Sequence, residues 1–83
     1  TISIQEISKA PSQYPWNCLL RYQQFSQSEL LTFYPFILQE LVTAIRYQHS
    51  ITEVFLQDHF GKEIEESEEL DWERIKILLA NRE

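Results

Sequence analysis

Few residue types in this chain could do chemistry: one cysteine, two histidines and a tight run of carboxylates. Thiol catalysis needs a base beside the sulfur, because the thiolate is the nucleophile. Cys18 instead lies between Trp16 and Leu19 in an apolar stretch with no nucleophile motif around it. That context predicts a buried, inert thiol. His49, Glu53, Asp58, His59 and Glu63 have metal-ligand chemistry, and His49/Glu53 and His59/Glu63 are each four residues apart. Such a spacing shares a face only where one helix runs through both positions. Ser50 reads as a helix start inside the first pair and Gly61 as a helix stop inside the second, so neither pair is expected to converge. The carboxylate run holds seven acids and no base: Glu63, Glu65, Glu66, Glu68, Glu69, Asp71 and Glu73. It lacks the alternating Asp/Asn ligands and the turn glycine of a calcium loop. The expectation is a non-enzymatic chain with no catalytic residue, no metal and no cofactor.

Those seven acids account for most of the charge. The chain of 83 residues carries a net −6, while residues 1–62 alone are nearly neutral. Nucleic acid is disfavoured as a partner, because neutralising phosphates requires clustered Lys and Arg. An anionic membrane surface is disfavoured for the same reason. Arg74, Lys76 and Arg82 could serve a helix-turn-helix, but they follow the acids directly. A single cysteine forms no internal disulfide, which fits a reducing, cytoplasmic or otherwise intracellular setting. The opening Thr1-Ile2-Ser3-Ile4 lacks the basic and apolar regions of a secretory signal. A first residue of Thr suits either removal of an initiator Met or excision from a longer chain.

The elements that must position these residues announce themselves by helix starts. A start wants a short polar side chain to accept orphan backbone N–H groups, often with Glu three residues on. Ser3 with Glu6, Ser26 with Glu29 and Ser50 with Glu53 have that form, and Asp71 reads as a fourth cap. Pro11 ends the first helix, and Pro15 opens a second that carries Trp16, Leu19 and Leu20. Pro35 splits the apolar run that follows into helices over about 27–34 and 36–48, or kinks a single one. A helix over 51–60 ends at Gly61, an acidic linker spans 62–70, and a last helix covers 72–82. One glycine and three prolines are too few for an all-β chain. The expectation is therefore a single all-α domain over 1–83, built as a compact bundle or short tandem array of five or six short helices. Its core should hold Trp16, Leu20, Leu30, Ile37, Leu41, Ile45, Phe55, Trp72, Ile75 and Leu79, each on the apolar stripe of its helix.

One tetrad recurs. Leu20-Arg21-Tyr22-Gln23 returns as Ile45-Arg46-Tyr47-Gln48, and a capped helix with an apolar doublet follows each copy. This suits either a tandem helix-pair array or two similar amphipathic helices in an ordinary bundle. Residues 45–75 also resemble the short helical repeats of large DNA viruses and phages, of the form Tyr-Gln-x-Leu-Ser-x-x-Phe-Ile followed by Asp-Trp-x-x-Ile. The corresponding residues are Tyr47-Gln48, Ile51-Thr52, Phe55-Leu56 and Asp71-Trp72-Glu73-Arg74-Ile75, with one extra residue after Gln48 and an acidic insertion before Asp71. The resemblance implies a helical repeat scaffold and no particular chemistry.

Two functions follow as expectations. Eleven aromatics exceed what a core this small encloses, so some tyrosines, Tyr22 and Tyr47 among them, should face a partner. This predicts a protein–protein interaction module, with self-association as one form. The alternative is a small acidic inhibitor, of antitoxin, immunity or phage anti-defence type, whose carboxylates occupy a basic nucleic-acid-binding surface. A carboxylate row on one ordered face would favour the second.

Overall fold

The computed structural model describes residues 1–82, and among them there is no strand. Seven α-helices follow in order: α1 (Ile4–Lys9), α2 (Trp16–Tyr22), α3 (Gln27–Thr32), α4 (Tyr34–Gln39), α5 (Leu41–Tyr47), α6 (Glu53–Glu66) and α7 (Trp72–Ala80). A 3₁₀ turn over Pro11–Gln13 joins α1 to α2. The all-α expectation holds, with one more helix than the five or six expected. None is long and apolar enough to cross a membrane.

The helix starts are partly those expected. Ser3 Oγ accepts from Glu6 N at 3.1 Å, but the Glu6 carboxylate turns to Lys9 instead of closing a box. Ser26 and Glu29 form the full reciprocal box. Asp71 Oδ1 accepts from Arg74 N at 2.8 Å. Ser50 is a correction. Thr52 caps α6 through Phe55 N, while Ser50 Oγ donates to Phe25 O. An extended turn intervenes after Gln48, so the cap shifts two residues along.

Two helix ends also differ from expectation. Glu40, at φ −119° and ψ 38°, breaks the 36–48 helix. The bend leaves α4 on α3 and turns α5 onto α2 and α7. Gly61 does not end α6, which runs on to Glu66 with no positive φ. Leu56, Phe60 and Ile64 recur every fourth residue and are all buried, and this stripe outweighs the roughly 1 kcal/mol that glycine costs in a helix. Half of the expected 62–70 linker is therefore helix, and only residues 67–71 connect α6 to α7.

Eight of the ten expected core residues are buried, whereas Trp72 and Leu79 are half-buried. Trp16 anchors an aromatic cluster. Its ring lies 5.1 Å from Phe33 and stacks on Phe36 at 5.4 Å, and its Nε1 donates to Pro11 O. Cys18 is exposed, contrary to expectation, because α2 turns Trp16, Leu19 and Leu20 inward and position 18 outward.

The recurrent tetrads end α2 and α5, which pack together, and their glutamines are the buried polar residues. Gln48 Nε2 donates to Leu20 O and Gln23 O, and its Oε1 accepts from Phe25 N. Gln23 does the same one step earlier, pairing its carboxamide with both backbone groups of Ile2. Arg82 does it one step later, donating to Gln48 O and Ile51 O. Each of these side chains thus ties its own segment to the backbone of an earlier one.

This stitching fixes two poles. The ends of α2, α5 and α7 and the start of α6 meet at one pole, around Gln48. From there α6 runs 14 residues, about 21 Å at the usual helical rise, to the turn that opens α7.

Candidate functional site

At the start of α5, the bend between α4 and α5 faces the last turn of α6 and the 67–71 connection. A half-open pocket of about 280 Å³ lies between them. Leu38, Leu41, Val42, Ile64 and Leu70 give it aliphatic walls. Glu40, Glu63 and Glu69 line it from three separate segments, with Thr43 and Ser67 beside them. The volume is at the low end for ligand pockets, which suits one side chain rather than an extended cofactor.

Local structure explains each acid. Glu40 sits at the helix break, and Asn17 Nδ2 holds it by donating to its Oε1 at 3.2 Å and to Thr43 Oγ1 at 3.4 Å. Glu63 precedes Ile64 on α6 and is half-buried beside Tyr34. Burial, then hydrogen bonding to Glu63 and its charge, raise the Tyr34 hydroxyl pKa above 10.0. Glu69 lies in a turn built on Ser67, whose Oγ accepts from Glu69 N and Leu70 N. Arg74 braces the same turn by donating to Glu69 O at 3.1 Å.

The seven expected acids do not form one row. Glu63 and the exposed Glu69 line the pocket, Glu65, Glu66 and Glu68 are exposed, Asp71 is spent on capping α7, and Glu73 lies exposed in that helix's first turn. Negative charge suits the start of α7 but opposes the dipole at the end of α6, where Glu63, Glu65 and Glu66 lie. Each misplaced exposed acid there costs a few tenths of a kcal/mol. Tyr22 and Tyr47 are not part of this site. They lie at the ends of α2 and α5, Tyr22 with 86% of its surface exposed and Tyr47 half-buried against Arg21 and Arg46.

Among the described residues, no group of three His, Cys, Asp or Glu side chains is arranged to hold a metal ion. His59 packs on Phe55, with ring centroids 5.1 Å apart. No local signal in the sequence marks Glu40, Asn17 and Thr43, because none marks the helix break that brings them together. The fold and the pocket define a small all-helical protein with an acid-rimmed recess. Comparison with known protein families, curated proteins and solved structures finds no match.

Proposed function

We propose that this chain is a non-enzymatic protein–protein interaction module whose pocket takes a lysine or arginine side chain from a partner protein. Its aliphatic walls suit the methylene stem, and its three carboxylates suit the cationic head. The observation that carries this reading is that Glu40, Glu63 and Glu69, from three segments, all line one aliphatic recess. Carboxylates kept at the wrong end of a helix, at a small cost in stability, fit a site retained for binding. The acidic-inhibitor reading calls for a continuous anionic face. It is weakened by the division of the block among a helix end, a turn and a cap.

The test is a peptide-display selection run in parallel on the wild-type chain and on a Glu40→Gln/Glu63→Gln/Glu69→Gln variant. Peptides enriched on the wild type should share a Lys or Arg beside apolar residues and should be lost on the variant. Enrichment of peptides without a basic residue, or equal enrichment on both chains, would reject the proposal.

A further inference from the structure

The α5 wall of the pocket continues into a basic surface. Val42 and Thr43 line the pocket, and Arg46 follows Val42 by four residues, one turn or about 6 Å further along the same face. The neighbouring helix α2 repeats that step. Asn17 donates to Glu40 and Thr43, and Arg21 stands four residues beyond Asn17. Both guanidinium groups meet at the Tyr47 ring, Arg21 with its Cζ 5.2 Å from the centroid and Arg46 at 5.8 Å. A cation–π contact holds a guanidinium in place without spending its N–H donors on an acceptor. Both arginines are exposed, and among the described residues neither meets a carboxylate at ion-pair distance. The seam between α2 and α5 therefore has an acidic end at Glu40 and a basic end at Arg21 and Arg46. Asn17 and Thr43 lie between the two ends.

We infer that the partner segment filling the pocket also carries an Asp or Glu two residues from its Lys or Arg, and that Arg21 and Arg46 receive this carboxylate. This rests on the pocket's being a site for a basic side chain, as proposed above, and adds the second feature the partner must present. Spacing supports it. In an extended segment, side chains two residues apart point the same way and lie about 7 Å apart, which matches the one-turn step from Val42 to Arg46. Charge supports it too. A basic side chain entering the pocket alone comes up beside two arginines and is repelled by them, whereas a carboxylate two residues away turns that repulsion into attraction. A phosphate suits the place less well, because its near-double charge would lie close to Glu40 as well as to the arginines. A second copy of this chain also suits it less well. Its Arg21 and Arg46 are held at the Tyr47 ring instead of reaching outward, and each copy brings a net −6.

Fluorescence anisotropy with three short labelled peptides reads this directly. The first holds Arg and Glu two residues apart among apolar residues, the second has Gln in place of the Glu, and the third has norleucine in place of the Arg. The wild type should bind the first about fivefold more tightly than the second, the scale of one exposed charge pair. On Arg21→Gln/Arg46→Gln that gap should close, while the second peptide binds no more weakly than to the wild type. Lys9→Gln/Lys76→Gln removes the same charge at exposed positions on α1 and α7 and should keep the gap. Equal binding of the first and second peptides to the wild type, or a gap that survives loss of both arginines, would overturn the inference; Arg-dependent binding of the second peptide would still leave the proposed function standing. Equal binding of the first and third peptides, or no binding of any, would reject the pocket as a site for a basic side chain and the inference with it. Self-association of the wild type in sedimentation velocity, abolished by Arg21→Gln/Arg46→Gln, would overturn the inference in favour of a second copy at this face.

Discussion

Replacing Gln48 with Ala removes the side chain that ties the two tetrads together. Its carboxamide is fully buried and makes three hydrogen bonds: to Leu20 O at 2.7 Å, to Gln23 O at 2.8 Å and from Phe25 N at 2.8 Å. The substitution strands all three backbone groups. A buried polar group without a partner costs about 1–3 kcal/mol, less where water enters the space, so the loss should be about 3–5 kcal/mol. A domain of this size has about 5–15 kcal/mol in total, so the variant should sit close to its unfolding transition. Gln24 is the control. It makes the same kind of bonds to the neighbouring backbone, to Tyr47 O at 2.7 Å and from His49 N at 2.8 Å, but it is exposed. Water replaces those bonds, so Gln24→Ala should cost about 1 kcal/mol or less. Urea unfolding followed by tryptophan fluorescence measures both. Equal losses for Gln24→Ala and Gln48→Ala, or a loss under about 1 kcal/mol for Gln48→Ala, would refute the view that buried side-chain-to-backbone bonds hold the two halves together.

Other predictions follow from single side chains. Trp16 is 6% exposed and ringed by Phe25, Phe33 and Phe36, so Trp16→Ala should cost about 3–5 kcal/mol. Trp72 is half-buried, so Trp72→Ala should cost distinctly less; equal shifts in urea midpoint would contradict the core assignment. Gly61 sits inside α6 with open space where a Cβ would project, so Gly61→Ala should raise stability by about 0.5–1 kcal/mol. A lower melting temperature for that variant would show that α6 ends at Gly61 after all. Tyr34 has a folded-state pKa raised by burial and then by Glu63. The unfolded chain therefore releases this proton first, and the stability Tyr34 contributes is complete below pH 10.0 and falls as pH rises through the folded value. The stability difference between wild type and Tyr34→Phe should be constant from pH 8 to 9 and should shrink above about pH 10. A difference that does not change with pH would show that Tyr34 titrates alike in the folded and unfolded chain.

The sequence made the helical class legible because caps are local chemistry: Ser26 with Glu29 and Asp71 act as their types and spacing require. It misled where tertiary packing outweighs a local rule. Gly61 reads as a stop, yet the Leu56–Phe60–Ile64 stripe carries the helix past it, and that period was visible inside the acidic run. Ser50 reads as a cap, yet a bond to Phe25 O, 25 residues back, claims its hydroxyl. The acidic block was evident as composition, but its division between pocket, solvent and cap was not. That division depends on the bend at Glu40, which no proline or glycine marks. The repeated tetrad did place Tyr22 and Tyr47 correctly on related helices. Its arginines, Arg21 and Arg46, both reach the Tyr47 ring, a contact that the recurrence of the tetrad does not by itself show.

The central claim is that Glu40, Glu63 and Glu69 form a pocket for a basic side chain. The most direct measurement is a nuclear magnetic resonance titration of the isotope-labelled chain with a short peptide holding one Arg between apolar residues. The same peptide with norleucine in place of Arg serves as the control. The Arg peptide should shift amide signals of residues 38–43 and 63–70, the norleucine peptide should do so far more weakly, and Glu40→Gln/Glu63→Gln/Glu69→Gln should abolish the effect. Shifts confined to other residues, or equal responses to both peptides, would contradict it.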